Sequence, residues 1–173
     1  MNKKTRIMKI LQYVSAAIIL LTVMNKTVAQ DSKTEKRNQK RIEVHAMVES
    51  RNFNFVPNSF NSMNGGIKQV TADYSVKLNG NNLVCYLPYI GRAYIAPINS
   101  SDNPMDFTSN SFTYVANPSK NKGWDISIKP LDHKSINQLS FRIFDNGSAS
   151  LSVTSINRDP ITYQGYLEAN QKK

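Results

Sequence analysis

The stretch Leu139-Ser140-Phe141-Arg142-Ile143-Phe144-Asp145-Asn146-Gly147-Ser148-Ala149-Ser150-Leu151-Ser152-Val153 decides the fold class. Leu139, Phe141 and Ile143 alternate with polar residues, and Ala149, Leu151 and Val153 do the same. Alternation puts successive side chains on opposite faces of a strand, so each half carries one apolar face. Asp145-Asn146-Gly147-Ser148 between them is turn chemistry, and the Asn-Gly pair predicts two adjacent positive-φ residues whose twist matches the flanking strands. The stretch is therefore a hairpin.

The same period extends in both directions. Val70, Ala72, Tyr74, Val76 and Leu78 interleave with Thr71, Asp73, Ser75 and Lys77, and Asn79-Gly80-Asn81-Asn82 leads into the apolar run Leu83-Val84-Cys85-Tyr86-Leu87. Trp124, Ile126 and Ile128 form another strand, and Ile161, Tyr163, Gly165 and Leu167 a last one; weaker strands are expected over 53–56, 92–96 and 112–116. The exception is the segment from about 32 to 50, where Ser32-Lys33-Thr34-Glu35 reads as a capping box and Val44, Met47 and Val48 share one helical side, with Ile42 and Ala46 on another. Regularly spaced strands with no helices between them predict a single antiparallel β-sandwich or flattened barrel, with the N-terminal helix across an edge or open end. A wide, open cup is the structural rival.

Ahead of this domain, Lys3, Lys4, Arg6 and Lys9 precede the apolar run from Ile10 to Val23, and Thr27-Val28-Ala29 ends it with small residues. That order is a secretory signal peptide. The run is shorter than the roughly 20 residues a membrane-spanning helix needs, so residues 1–29 are expected to be removed and 30–173 to form one β-rich domain that is not an integral membrane protein. The location expected is periplasmic or extracellular. Five of the 22 Lys and Arg leave with the leader while all 12 Asp and Glu remain, so the net charge falls from +10 to about +5. Lys33, Lys36, Arg37, Lys40 and Arg41 supply most of that excess and read as a solvated, partly ordered leading segment, the alternative being attraction to anionic lipid or polysaccharide. No nucleic-acid partner is expected. Cys85 is the single cysteine, which forbids an internal disulfide and reads as core filler.

Three stretches are more specific than alternation: Leu87-Pro88-Tyr89-Ile90-Gly91-Arg92-Ala93-Tyr94, Asn157-Arg158-Asp159-Pro160-Ile161-Thr162-Tyr163-Gln164-Gly165, and Lys122-Gly123-Trp124. With the leader, the helix and the Asn146-Gly147 hairpin, they make the chain resemble a family of small secreted bacterial proteins known as DUF4251, a domain of unknown function. The resemblance spans nearly the whole mature chain. It implies a shared fold and carries over no activity, cofactor or catalytic residue.

In the first stretch Pro88 cannot donate to a central ladder and Gly91 permits a bend, so the strand stops there. Asp159-Pro160 reads as a turn between strands. Function gathers at such interruptions, and Tyr89, Arg92, Tyr94 and Arg158 are the candidate ligand-binding residues, their alternative role being to brace the bends. His45 and His133 have no neighbour at metal-ligand spacing, and Asp102 and Asp106 do not make a calcium loop, so no metal or cofactor is expected. No phosphate loop, dinucleotide fingerprint or nucleophile elbow occurs. The reading that follows is a non-catalytic binding or interaction module of the bacterial envelope, meeting a glycan, lipid or peptide. An enzyme assembled near Arg92 and Arg158, or a structural envelope component, is the alternative. Intact-mass measurement of the protein recovered from the envelope should give a chain beginning at Gln30; a species retaining Met1 to Ala29 in the inner membrane would show the leader to be an anchor.

Overall fold

The computed structural model describes residues 33–62, 66–90, 103–120, 122–156 and 158–170. A helix, α1 (33–49), precedes ten strands: β1 (Asn52–Ser62), β2 (Gly66–Gln69), β3 (Ser75–Asn79), β4 (Asn82–Tyr86), β5 (Asp106–Ser109), β6 (Phe112–Pro118), β7 (Gly123–Pro130), β8 (Ile136–Phe144), β9 (Ser148–Ser155) and β10 (Arg158–Glu168). Residues 40–173 form one compact unit, and 33–39 are exposed along their length. The predicted cap Ser32 lies outside the described residues.

Every strand pair is antiparallel, in the order β5-β4-β3-β1-β10-β9-β8-β7-β6, with β2 added to β1. Because each step reverses direction, β5 and β6, at the two ends of the order, run the same way. Only Asn110 and Ser111 separate them, so they are two halves of one bent strand, the first paired with β4 and the second with β7. The sheet thereby curls into a nearly closed up-and-down barrel of eight strand positions.

The bend is held from both sides. Asp132, just beyond β7, accepts hydrogen bonds from the Ser109 hydroxyl and from the Asn110 and Ser111 amides, the latter two at 2.9 and 3.1 Å. The Leu131 amide donates to the Ser111 carbonyl at 2.8 Å, and Asn82 Nδ2, at the start of β4, donates to Asn110 Oδ1 at 2.7 Å. Backbone groups that lose their ladder partners where the strand changes neighbours are thus satisfied by local side chains.

The barrel interior is packed. Phe53, Phe55, Leu78, Leu83, Cys85, Ile128, Leu139, Phe141, Ile143, Leu151 and Tyr163 are all buried, and Phe141 meets Phe53 and Phe55 edge to face at 5.9 and 5.7 Å. An eight-position barrel is about wide enough for its own side chains, and these inward residues occupy it. Outward positions such as Lys77, Ser127, Ser140, Arg142 and Ser152 are polar, the reverse of a barrel whose outer band meets lipid. Among the described residues no helix is long and apolar enough to cross a membrane.

From residue 40 onward α1 lies over one end of the barrel. Its Val44, Met47 and Val48 are buried, the Tyr114 hydroxyl donates to the Val48 carbonyl at 3.0 Å, and Lys40 and Val44 border the β8–β9 turn at Gly147. Burial pushes the Tyr114 phenol up to about 12, against the opposing effect of Arg51, whose guanidinium sits 4.8 Å from the ring centre. Cys85 is fully buried, and burial raises its thiol well above the usual range, which leaves it without thiolate character.

Several local expectations change. The Val70–Leu78 alternation becomes strand only from Ser75, where β3 begins: β1 gives one edge to β3 over Asn52–Phe55 and to β2 over Ser59–Ser62, so the chain crosses between them, and Tyr74 N–H bonds back to the Ala72 carbonyl. In the β8–β9 turn Gly147 alone has positive φ, at 86°. Gly147 N–H donates to the Phe144 carbonyl at 2.9 Å, so the loop has the three-residue form with a glycine after the turn, and Asn146 contributes through its side chain, whose Oδ1 accepts from the Ser148 amide. Asp159-Pro160 lies inside β10 at a register irregularity rather than in the turn. The weak strand expected over 92–96 falls outside the described residues.

Asp132 titrates with consequence. The Ser109 hydroxyl and then the Asn110 amide hold its carboxyl below the usual carboxylate range. A group with a folded pKa below its unfolded value stabilises above the unfolded value, about 4, and that contribution disappears as pH falls through the folded one. Asp132→Ala should lower the melting temperature at pH 7, and its deficit against the unmodified protein should shrink below about pH 4; a deficit equal at pH 7 and pH 2 would contradict this.

Candidate functional site

Two of the four predicted ligand residues come together at the barrel end opposite α1. The Arg158 guanidinium sits 5.3 Å from the centre of the Tyr89 ring, and the Tyr89 hydroxyl donates to the Asp159 carbonyl at 3.2 Å. Burial raises the Tyr89 phenol and the nearby Arg158 cation opposes the rise. One residue upstream, the Pro88 carbonyl accepts the buried Tyr163 hydroxyl at 2.7 Å. The chain leaving β4 is thus tied to β10 through two tyrosines. Arg92 and Tyr94 lie outside the described residues. The contacts at this corner are those of a brace, since they commit the Tyr89 hydroxyl and ring face to the fold.

The third motif stands at the other end, and there the polar groups are not all used. Gly123 opens β7 at φ 135°, and a Cβ there would fall 2.0 Å from the Ile143 carbonyl oxygen, so only glycine lets β7 start this close to β8. Lys122 before it holds φ 59°, a left-handed conformation uncommon for lysine, and the Ser119 amide donates to the Gly123 carbonyl at 2.9 Å to close the β6–β7 turn. This backbone delivers Trp124 beside α1. His45 meets the indole edge to face at 5.2 Å, and its Nε2 lies 3.7 Å from Asp145 Oδ1 in the β8–β9 turn, too far for a hydrogen bond.

Between the helix and the β6–β7 hairpin runs a solvent-open groove of about 830 Å³. Arg41, Ile42, His45, Ala46 and Glu49 supply the helical wall, on the face turned away from Val44, Met47 and Val48; Pro118, Lys122 and Trp124 supply the other. Trp124 Nε1 and Asp145 Oδ1 are enclosed and have no hydrogen-bond partner. Arg41, Glu49 and Lys122 form none of the ion pairs found among the described residues, which join Lys40 to Glu43, Arg142 to Asp125 and His45 to Asp145. The groove is thus lined by an aromatic ring and two cations outside any ion pair, with an enclosed indole donor and the Asp145 carboxylate, 3.7 Å from His45, in its wall, and its volume suits a small ligand. Among the described residues no three His, Cys, Asp or Glu side chains cluster as metal ligands. A second concavity of about 460 Å³, on the outer face of β7–β9, is lined by serines and the Asp125–Arg142 pair at 3.1 Å.

The groove was absent from the sequence-derived site. Lys122-Gly123-Trp124 signalled an unusual backbone, but its partners His45 and Asp145 belong to distant segments that only the closed barrel brings together.

The family model described as a domain of unknown function (DUF4251) matches residues 35–167. No curated protein matches the chain.

If the corner at Tyr89 is a brace, Tyr89→Phe should cost on the order of 1 kcal/mol through the lost hydrogen bond to the Asp159 carbonyl. Chemical denaturation measures it, and a variant as stable as the parent would show that this hydroxyl does not support the fold.

Proposed function

The chain belongs to the DUF4251 family, and on that premise we propose that it is an exported, non-catalytic binding module of the bacterial envelope whose ligand occupies the groove between α1 and the β6–β7 hairpin. The leader sequence supports export. The observation that carries the binding reading is the enclosed donor and acceptor that lack a hydrogen bond, Trp124 Nε1 and Asp145 Oδ1, in the wall of the groove, beside the cations Arg41 and Lys122, which form no ion pair among the described residues. A packed barrel interior directs recognition to the outside surface.

The reading as an enzyme near Arg92 and Arg158 draws less support, because Tyr89, Arg158 and the Asp159 carbonyl are engaged with one another. The two sites separate by mutation. On arrays of envelope glycans and peptides, Trp124→Phe removes the indole donor and should weaken retention by about tenfold, the scale of one lost hydrogen bond, with the melting temperature unchanged. Arg158→Gln should leave retention intact. The opposite pattern, with retention lost in Arg158→Gln and kept in Trp124→Phe, would move the site to the other end of the barrel.

A further inference from the structure

Resting on the reading of the groove as a binding site, we propose that its ligand is an acidic sugar, a pyranose bearing a carboxylate, held as part of a soluble or envelope-attached saccharide. Each part of the wall fits one part of such a ring. Arg41 on the helix and Lys122 on the hairpin are unpaired cations on facing walls, and a carboxylate between them gains charge-assisted hydrogen bonds, bidentate ones from the guanidinium. Glu49 and Asp145 Oδ1 accept only, so they call for hydroxyl or amide donors on the same ligand. Trp124 Nε1 calls for an acceptor. A sugar hydroxyl both donates and accepts, so a single ring meets the indole and the carboxylate together.

The apolar part of the lining, Ile42, Ala46, Pro118 and the Trp124 ring, matches the C–H face of a pyranose. A fatty acid brings the carboxylate but no hydroxyl donors, and in an open groove its chain would stay half in water. An acidic peptide brings the charge and amide donors, yet it lacks a flat apolar ring face with polar edges to fill one aromatic-sided groove. Reaching Trp124 Nε1 and Asp145 Oδ1 takes a rotation of His45, the side chain that touches both residues. That step couples occupancy to the indole environment.

Trp124 is the only tryptophan in the chain and lines this groove, so its fluorescence and its indole N–H resonance report on it. The test titrates the mature protein with trigalacturonate, neutral galactotriose, laurate and a short aspartate-containing peptide. Trigalacturonate should shift both signals saturably and bind at least about tenfold more tightly than galactotriose, the difference being the charged hydrogen bonds. Arg41→Gln and Lys122→Asn, the second keeping a residue that tolerates the left-handed backbone, should each weaken it by about tenfold without changing the melting temperature. Equal affinity for the neutral sugar, or a response to laurate or the peptide in its place, overturns the acidic-sugar assignment and leaves the groove as a binding site. If none of the four probes moves the Trp124 signals, and Trp124→Phe is retained on envelope arrays as well as the parent, the groove reading fails as well.

Discussion

The barrel closes on a bend at Asn110-Ser111, and the Asp132 carboxylate is what that bend rests on. A strand that changes neighbours midway leaves amides with no ladder partner, and an orphaned backbone donor costs about as much as a lost hydrogen bond. Asp132 takes both amides and the Ser109 hydroxyl, while Leu131 and Asn82 supply donors from either side. Were the bend released, β4 and β7 would each face water along an open edge and the aromatic core around Phe141 would lose its wall. A surface carboxylate thus governs a buried interior, through geometry rather than through burial.

A filled interior in turn decides where anything else can bind. α1 spends one face on the core, with Val44, Met47 and Val48, and the other borders the groove, facing the β6–β7 hairpin and Asp145 of the β8–β9 turn. How closely that hairpin approaches is set by Gly123, whose missing side chain lets the start of β7 lie against the Ile143 carbonyl and so fixes Trp124 next to His45. One glycine links sheet packing to the chemistry of the groove.

Much of the fold could be read from the chain because it depends on a local period. Leu139 to Val153 is the hairpin its alternation predicts, and α1 ends within one residue of its expected boundary. What escaped reading depends on partners far away. Asn110-Ser111 has no composition that distinguishes a bent strand from an ordinary turn, and Asp132 looks like any loop aspartate until the sheet is closed. Val70 to Tyr74 alternates as a strand should, yet after the Val70 amide bonds to the Asn58 carbonyl the chain crosses from β2 to β3 and forms no ladder. Pro160 signals a turn by its missing donor, but at a register irregularity in β10 that donor is not needed. The site divides in the same way. Tyr89 and Arg158 meet because both stand where strands are interrupted at one end of the barrel, whereas His45, Trp124 and Asp145 meet only through the packing of the helix.

The two ends of the barrel differ in how their polar groups are used, and this difference bears on function more than aromatic content does. At the end with Tyr89, the Tyr163 and Tyr89 hydroxyls each have a backbone acceptor. At the helical end, an indole donor and a carboxylate acceptor are enclosed and unused. An unmet buried polar atom costs about 1–3 kcal/mol, a cost that a partner able to supply the missing bonds would offset. Asn54 Oδ1 and Ser155 Oγ are also unmet among the described residues, but neither residue lines the groove. Among the described residues, Trp124 and Asp145 are the two with unmet atoms that line one groove, with the cations Arg41 and Lys122 beside them, and under the proposed reading a ligand that completed that pattern would recover part of this cost.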